Sequence, residues 1–316
     1  MRGLTAAVMA LLMVVAVSGC APRASEWGDV PAVIAGGSAT GVYYDYGSRL
    51  ADELSDALDV DASVEETEGS VDNLRRVADG EALLGFAQGD AAADAVAGRG
   101  AFPEPLDIRA AARLYDEYVH VVVRQDAEIA GIDDLAGRVV SLGAVGSGVN
   151  VIATRILTAA DVDPDAVGNP QLDLRESIDA LQHGEIDGFF WVGGLPTPGI
   201  EDLSTEVPLR LLPIEQEWVN AVNAEYSDAY RSSDFPAGVY GLDSSVPTMA
   251  VPNYLVVAAD APDAVVRDVL EVLFEARTRM AAELPVAALL GRRQAIFTEP
   301  VELHPGAVEY YRDERG

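Results

Sequence analysis

Short strand-like segments alternate with helix-like segments over most of the chain, and this order restricts the fold more than any other feature of the sequence. Apolar side chains recur at helical spacing in residues 42–58 and 70–78, and Ser70 is a plausible N-cap of the second helix. Further helices are predicted at 150–160 and 177–183. Predicted strands occupy residues 33–34, 62–66, 83–87, 118–123, 139–142, 186–191 and 251–257. Strands that alternate with helices predict an α/β fold with mainly parallel sheets.

The length of the chain favours more than one domain. A chain of 316 residues is longer than a single hydrophobic core usually supports. A polar break near Gln125 separates two runs of alternating strands and helices. We therefore expect two α/β lobes.

Three turns that contain glycine and serine each join a predicted strand to a predicted helix, at residues 37–44, 68–73 and 146–150. In open α/β sheets the ligand crevice lies at the carboxyl ends of the strands, and helices that begin there point unpaired N–H groups into it. Each helix end stabilises an anion by about 0.3–1 kcal/mol. One such turn alone is more often only a turn with a capping serine, but the repetition predicts an anion site. Its candidate residues are Gly37, Ser38, Gly41, Ser70, Ser147, Gly148 and Val149.

Other polar and aromatic side chains lie near these turns. Gln88 directly follows the apolar run 83–87, which favours a role in ligand binding. Tyr43 either stacks on a ligand or packs in the core, and we favour the ligand. Asn73 either binds the ligand or hydrogen-bonds the local backbone, and Trp191 either lines lobe II or fills its core. For these last two residues the sequence leaves both interpretations open.

The charge of the chain excludes some partners. Acidic residues number 52 and basic residues 21, for a formal net charge of −31, and every basic residue is an arginine. A field of this sign repels nucleic acid and anionic lipid, so neither is expected as a partner. We hypothesise that the acidic, lysine-free composition reflects a high-salt habitat, although GC-biased coding also favours arginine over lysine.

Catalytic patterns do not emerge from the sequence. His120, His183 and His304 lie in unrelated contexts, and a lone histidine is more often structural. There is no H-E-x-x-H, G-x-S-x-G or G-x-G-x-x-G motif, and no lysine to complete a phosphate-binding loop. We therefore expect no enzyme, no cofactor and no bound metal.

The N-terminus carries an export signal. A positive start is followed by an uncharged run from Leu4 to Val17, which is the length of a signal-peptide core and too short for a membrane span. It ends in small residues before Cys20, the only cysteine of the chain. This pattern predicts a lipoprotein signal peptide at 1–19, lipidation of Cys20 and a tether at 20–30, anchoring the protein outside the cell membrane. The alternative is an ordinary cleaved signal with an incidental cysteine.

Several short motifs in order make the chain resemble the TAXI family of solute receptors for TRAP transporters. The motifs lie at residues 37–44, 68–74, 85–88, 114–120, 134–139, 146–148, 184–190 and 194–196. Two departures are Asn150, where threonine or an acidic residue is expected, and the Gly85-Phe86 pair in place of an acidic-apolar pair.

The resemblance implies a two-lobed, type II periplasmic-binding-protein-like fold with a ligand cleft between the lobes. Residues 31–123 and 248–316 are expected in lobe I, and 124–247 in lobe II. It implies a monomeric extracytoplasmic receptor that captures a small carboxylate such as glutamate, glutamine or 2-oxoglutarate and delivers it to an ion-driven TRAP permease. The implied ligand-binding residues are Ser38, Tyr43, Ser70, Asn73, Gln88, Ser147, Gly148 and Val149, with Pro196 in the last motif as a further candidate.

Two other functions fit the same fold. The first is a binding protein of an ATP-driven importer, and the second is a ligand-sensing receptor for a membrane kinase. The chain shows no signalling domain of its own, so the second function would need a separate kinase.

Overall fold

The computed structural model describes residues 27–28 and 30–314. The predicted signal peptide at 1–19, the lipidation of Cys20 and nearly all of the predicted tether lie outside these residues.

The first part of the chain folds as predicted into strands that alternate with helices. Its elements are β1 (Ala32–Ala35), α1 (Val42–Leu58), β2 (Ala62–Glu65), α2 (Ser70–Ala78), β3 (Leu84–Gln88), α3 (Gly89–Ala97) and the long β4 (Ile108–Arg124). Helix α1 buries one stripe of apolar side chains, including Tyr46, Leu50 and Leu54. Helix α2 has the predicted bounds, but its N-cap is Gly69, at φ 112°, where a side chain would be strained. The prediction of Ser70 as the N-cap is therefore wrong, because its hydroxyl bonds elsewhere.

The second part continues the alternation and then returns to the first. Its elements are β5 (Val140–Ser141), α4 (Gly148–Ala159), α5 (Leu174–His183), β6 (Gly188–Gly193), α6 (Pro198–Glu206), β7 (Leu209–Leu211), α7 (Gln216–Glu225), β8 (Arg231–Phe235), β9 (Val246–Ala258), α8 (Asp263–Met280), α9 (Arg292–Ala295) and α10 (Pro305–Asp313). Short 3₁₀ helices occur at Ile132–Leu135, Pro164–Ala166, Val239–Gly241 and Pro285–Leu289. The Asp173 carboxylate caps α5 in a capping box with Glu176.

Within the described residues, the strands form a nine-stranded sheet in the order β2-β1-β3-β9-β4-β6-β5, with β7 on β4 and β8 on β9. The pairs β1–β2, β1–β3 and β5–β6 are parallel, as the alternation predicts. Every strand-to-strand pairing of β4 or β9 is antiparallel, so five of the eight strand pairings of the described residues are antiparallel. The sheet is mixed, and the expectation of mainly parallel sheets is wrong. The long strands β4 and β9, which the sequence revealed only in part, run through both halves of the molecule.

Separate apolar cores fill the two halves. In lobe I, Tyr46 and Leu50 of α1 pack with Leu255 and α8 on one face of the sheet, and Leu74 of α2 packs on the other. In lobe II, Val121 and Ile156 share one core, and Val122 packs on the opposite face with Phe189. Alternate side chains of β4 thus pack on opposite faces of the lobe II sheet. The cores show the two-lobed α/β fold that the sequence predicts.

The course of β4 bears on where the lobes divide. Val119, Val121 and Val123 already pack in the lobe II core, and Tyr118 pairs with Gly193 of β6. The pairing of β4 with β9 shifts register twice, between Ala110 and Ala112 and again between Arg113 and Asp116. The predicted boundaries at 123/124 and 247/248 stay predictions, and the packing changes lobes a few residues earlier on β4.

None of the helices in the described part of the chain combines the length and apolarity that crossing a bilayer requires.

Candidate ligand-binding site

A cleft between the two lobes holds a cavity of about 40 Å³. Its polar side is formed by side chains of lobe I and of β4, among them Tyr43, Ser70 and Glu117. Its other side is largely apolar and includes Leu172, Leu174 and Phe190. The cavity is small because the two lobes touch across it.

Most of the predicted site residues meet at this cleft. The residues that line it are Gly37, Ser38, Gly41, Tyr43, Ser70, Gln88, Ser147, Gly148, Val149 and Trp191. Asn73 and Pro196 do not line it. The first residues of α1, α2 and α4 all lie in the lining, so the three glycine- and serine-containing turns converge as the sequence analysis expects.

The serines at these helix starts have different partners. Ser147 caps α4: its Oγ accepts a hydrogen bond from the Asn150 N–H at 3.1 Å and donates to the Ala144 carbonyl at 2.8 Å. Ser70 Oγ instead accepts a hydrogen bond from the Gln88 N–H at 3.1 Å, which ties the start of α2 to the end of β3. The Asp72 N–H of α2 donates across the cleft to the Gly146 carbonyl at 3.2 Å.

Tyr43 connects the polar groups at the bottom of the cleft. Its hydroxyl donates to Glu117 Oε2 at 3.0 Å and accepts from Asn253 Nδ2 at 2.6 Å. It also lies 3.4 Å from Ser70 Oγ. Burial, and then the nearby Glu117 carboxyl, raise the pKa of Tyr43 well above its ordinary value, so the hydroxyl keeps its proton. The ring stacks on Phe86, so Tyr43 both packs in the core and lines the cleft.

Glu117 is the least expected group in the lining, because its side chain is 0% exposed. Oε2 accepts the hydrogen bond from Tyr43, while no described group lies within hydrogen-bond geometry of Oε1, although the Gln88 amide and the Tyr115 hydroxyl are close enough to affect the pKa of the carboxyl. Burial raises the pKa of this carboxyl from 4.5 to about 8, although hydrogen bonding from Tyr43 and the nearby Gln88 amide lowers it in part. Asp90 on α3 raises it further. The carboxyl is therefore largely protonated at neutral pH in this environment.

Backbone and side chains of the two lobes approach closely at two points. A Cβ atom on Gly148 would clash with the Gln88 side-chain amide and lie 3.0 Å from Ser70 Oγ, so any larger residue here requires the Gln88 side chain to move. The Trp191 ring lies against Gly41 at the start of α1, and its Nε1 donates to Thr197 Oγ1 at 3.1 Å. Trp191 therefore lines the cleft and is only partly buried.

The two predicted site residues outside the lining have structural surroundings. Asn73 Nδ2 donates to the Phe86 carbonyl at 2.8 Å, and Asn73 Oδ1 accepts from the Thr67 hydroxyl at 2.5 Å. Thr67 Oγ1 in turn accepts from the Gly37 N–H at 2.8 Å. This chain of hydrogen bonds holds two of the glycine turns in place, which is the backbone interpretation left open for Asn73. Pro196 follows a cis peptide bond after Leu195.

The charged groups of the lining are all acidic. Glu68 and Asp173 join Glu117, and no arginine of the described chain lines the cleft. Burial raises the pKa of Glu68, and the neighbouring carboxylates of Asp72 and Asp173 raise it further. The positive field at the cleft therefore comes from the helix starts alone.

A buried ion-pair network joins the lobes beside the cleft. Arg155 of α4 donates to Asp90 Oδ2 at 2.9 Å, to the Tyr230 hydroxyl at 2.8 Å and to Asp94 Oδ2 at 2.5 Å. Its guanidinium also lies over the Tyr226 ring, 4.7 Å from the centroid. Because α3 begins directly after Gln88 and α4 begins at Gly148, this network couples two helices that both start at the cleft.

The histidines lie away from the cleft lining. His120 is buried, with its ring nitrogens 2.8 Å from the Tyr118 carbonyl and 3.2 Å from the Tyr240 hydroxyl. Burial lowers its pKa to about 3, so it stays neutral. His304 caps α10 by accepting from the Gly306 N–H, and His183 ends α5. In the described ranges, histidine, cysteine and acidic side chains do not group in a way that could hold a metal ion.

Sequence reasoning missed several residues of the lining, namely Thr67, Glu68, Glu117, Leu172, Asp173 and Leu174. A usable signal existed for Glu117, which lies two residues from the apolar Tyr115 and Val119 in a strand pattern. At that spacing a carboxylate takes an inward position. Asp173 carried the signal of a helix cap, since Glu176 follows three residues later.

Comparison with known proteins agrees with this architecture. The fold matches the structure of MatC from Rhodopseudomonas palustris with bound malate, at 17% identity and a TM-score of 0.54, covering 90% of this chain and 96% of MatC. A structure from Bordetella bronchiseptica RB50 matches at 17% identity and a TM-score of 0.53, covering 90% and 89% of the two chains. The periplasmic aliphatic sulphonate binding protein SsuA from Escherichia coli matches at 15% identity and a TM-score of 0.45, covering 90% and 84%.

At such identities the similarity concerns the fold alone. The sequence comparison is more informative, because the model of the NMT1-like family matches residues 34–316, which include both lobes and the whole cleft. This chain therefore belongs to the NMT1-like family.

Proposed function

We propose that this protein is an extracytoplasmic solute-binding protein of a membrane transport system and that it captures a small organic carboxylate in the cleft between its lobes. The observation that carries this proposal is the convergence of the starts of α1, α2 and α4 on one cavity. Each start offers backbone N–H groups and a partial positive charge, and Ser38, Ser70 and Ser147 add hydroxyl groups beside them. Such helix starts bind small anionic groups, and a carboxylate is one of them.

The acidic surface does not oppose this function. Helix starts act over the first turn only, so a local positive field is compatible with a net charge of −31. Salt screens the distant carboxylates much more than it screens contacts inside the cleft. The malate bound to MatC, which shares the fold, is also a small carboxylate.

Delivery to an ion-driven TRAP permease, as in the TAXI family, is supported by the ordered motifs of the sequence. A binding protein of an ATP-driven importer and a ligand-sensing receptor for a membrane kinase would have the same fold. Uptake of the identified ligand by cells, measured with the ion gradient or the ATP supply collapsed in turn, separates the first two. Ligand-dependent kinase activity in the absence of uptake would favour the third.

Export and lipidation are part of the same proposal and rest on the residues around Cys20. Mass spectrometry of the mature N-terminus is expected to show an acylated Cys20. The variant Cys20→Ala is expected to leave the membrane fraction, and retention of that variant on the membrane would contradict lipid anchoring.

The binding proposal is tested by thermal-shift screening of organic acids and amino acids. A ligand at one hundred times its dissociation constant adds about 2.7 kcal/mol to the free energy of unfolding. Ser147→Glu is expected to abolish binding without unfolding the protein, because it places an acid at the start of α4. Thr158→Glu, on the exposed side of the same helix, is the matched control and keeps its affinity. If a sugar or a cation stabilises the protein and no carboxylate does, the proposal is wrong.

A further inference from the structure

We propose that the Glu117 carboxyl binds the ammonium group of an amino-acid ligand whose carboxylate lies at the starts of α2 and α4. This inference rests on the proposed function and narrows it, from small carboxylates in general to zwitterions. It makes Glu117 the residue that distinguishes an amino acid from an acid without an amine, such as a keto acid or a hydroxy acid.

When Glu117 is ionised, the bottom of the cleft holds buried acceptors that a ligand with N–H donors can satisfy. Glu117 is 0% exposed and Gln88 is 2% exposed, and both line the cavity. Oε1 of each side chain lacks a hydrogen-bond partner within residues 30–314. Buried acceptors without partners are costly, so a ligand that supplies donors stabilises the ionised form of Glu117, whereas the protonated form supplies a donor of its own. A keto acid supplies no donor and a hydroxy acid supplies one uncharged donor, whereas an ammonium group supplies three donors and a positive charge.

The spacing of the groups fits one small molecule. The Tyr43 hydroxyl lies 3.0 Å from Glu117 Oε2 and 3.4 Å from Ser70 Oγ, the first side chain of α2. The acidic group and the helix start are therefore both within hydrogen-bond reach of a single hydroxyl. The ammonium and carboxylate groups of an α-amino acid are joined through one carbon, so they can occupy both positions at once.

The charge balance of the cleft points the same way. With Glu68, Glu117 and Asp173 in the lining and no arginine among the described lining residues, a ligand with two negative charges finds a cation for neither. A zwitterion brings one charge for the helix starts and the opposite charge for Glu117. The apolar wall of Leu172, Leu174 and Phe190 then faces the side chain of the amino acid.

Protonation gives the inference a signature of its own. The groups around Glu117 that titrate are Tyr43, Tyr115 and Asp90, and β3 and β9 present the neutral Gln88 and Asn253. Burial raises the pKa of both tyrosines well above 10, so they stay neutral below pH 9. An ammonium ligand favours the ionised form of Glu117, so binding releases a proton below about pH 8 and affinity rises with pH up to that point. A ligand without an amine favours the protonated form, so its affinity falls above about pH 8.

The test compares matched ligands by isothermal titration calorimetry. The pairs are L-leucine with 2-hydroxy-4-methylpentanoate, and L-glutamate with 2-oxoglutarate. The wild-type protein is expected to bind the amino member at least about tenfold more tightly, as expected for a charge-assisted hydrogen bond. Titrations at pH 7 in buffers of different ionisation enthalpy are expected to show proton release. Glu117→Gln reduces the preference to about threefold or less, whereas Asp116→Asn, a partly exposed acid on the same strand, leaves it unchanged.

Each outcome decides between the proposals. If the amine-free member of a pair binds as tightly as its partner, or if the amino member binds without releasing a proton, the role of Glu117 is wrong while carboxylate capture stands. If none of the carboxylates binds, both are wrong. Because proton release is measured on the wild-type protein, the inference is tested even if Glu117→Gln does not fold.

Discussion

Replacing Glu117 by glutamine should change the pH dependence of stability in a direction that follows from its burial. The pKa of the carboxyl is about 8 in the folded protein, against an ordinary value of 4.5. The folded protein therefore holds this proton more tightly than the unfolded chain does. The contribution of Glu117 to stability is most favourable below pH 4.5, declines as the pH rises, and reaches its full cost above pH 8.

The magnitude follows from the difference between the two pKa values. At 1.36 kcal/mol for each pH unit, full ionisation of Glu117 costs about 3–5 kcal/mol of folding free energy. Glutamine has nearly the same shape and cannot ionise. The stability of Glu117→Gln relative to the wild type is thus expected to rise by about that amount between pH 5 and pH 9.

Urea unfolding at several pH values, followed by circular dichroism, measures this difference. The other carboxylates titrate in both proteins and cancel in the comparison. Asp116→Asn serves as the control, because it removes a partly exposed carboxylate that is paired with Arg113 on the same strand. A difference between wild type and Glu117→Gln that stays constant within about 1 kcal/mol would show that Glu117 is ionised at neutral pH and that the reasoning from burial is wrong.

Three further predictions concern other parts of the molecule. Arg155→Met leaves Asp90 and Asp94 buried without a cation and is expected to cost about 3–5 kcal/mol in urea unfolding; adding Asp90→Asn and Asp94→Asn should restore most of this, and additive losses would contradict the network. Gly148→Ala places a methyl group against Gln88 and should weaken ligand binding by about tenfold or more in calorimetry, with partial recovery in Gly148→Ala/Gln88→Ala. If the acidic, lysine-free surface reflects a high-salt habitat, the melting temperature should rise from low to molar salt, and unchanged stability would favour the coding explanation.

Local signals explain why parts of the fold were predictable. Helices α1 and α2 have the predicted bounds, because their apolar stripes are regular and Gly41 and Gly69 stand directly before them. The strands between them are short and apolar, which is typical of buried strands. The turns that these elements create were predicted to meet, and they do line one cleft.

Long-range pairing explains what the sequence did not reveal. Strand β4 begins at Ile108, but alanines and charged residues such as Arg109 and Arg113 hide the strand pattern until Tyr118. Glu117 is buried only because β9 pairs with this stretch and α1 packs over it, and neither contact is visible locally. Among 52 acidic residues, the spacing of Glu117 from Tyr115 and Val119 is a weak local sign that this one faces inward. The pairing of Arg155 with two acids of α3 was hidden for the same reason.

If the lobes rotate about β4, the course of this strand also sets the order in which the ligand contacts form. Glu117 lies on the strand that runs from one lobe into the other, immediately after the register shift at Asp116. A rotation of the lobes about this segment would move the start of α4 far from lobe I, because α4 lies away from the axis, but would leave Glu117 almost stationary. The carboxyl is then a fixed point of the motion, in place before the lobes close. A solute that enters the open cleft would contact Glu117 first. The start of α4 would then bind only those molecules that already pair with Glu117.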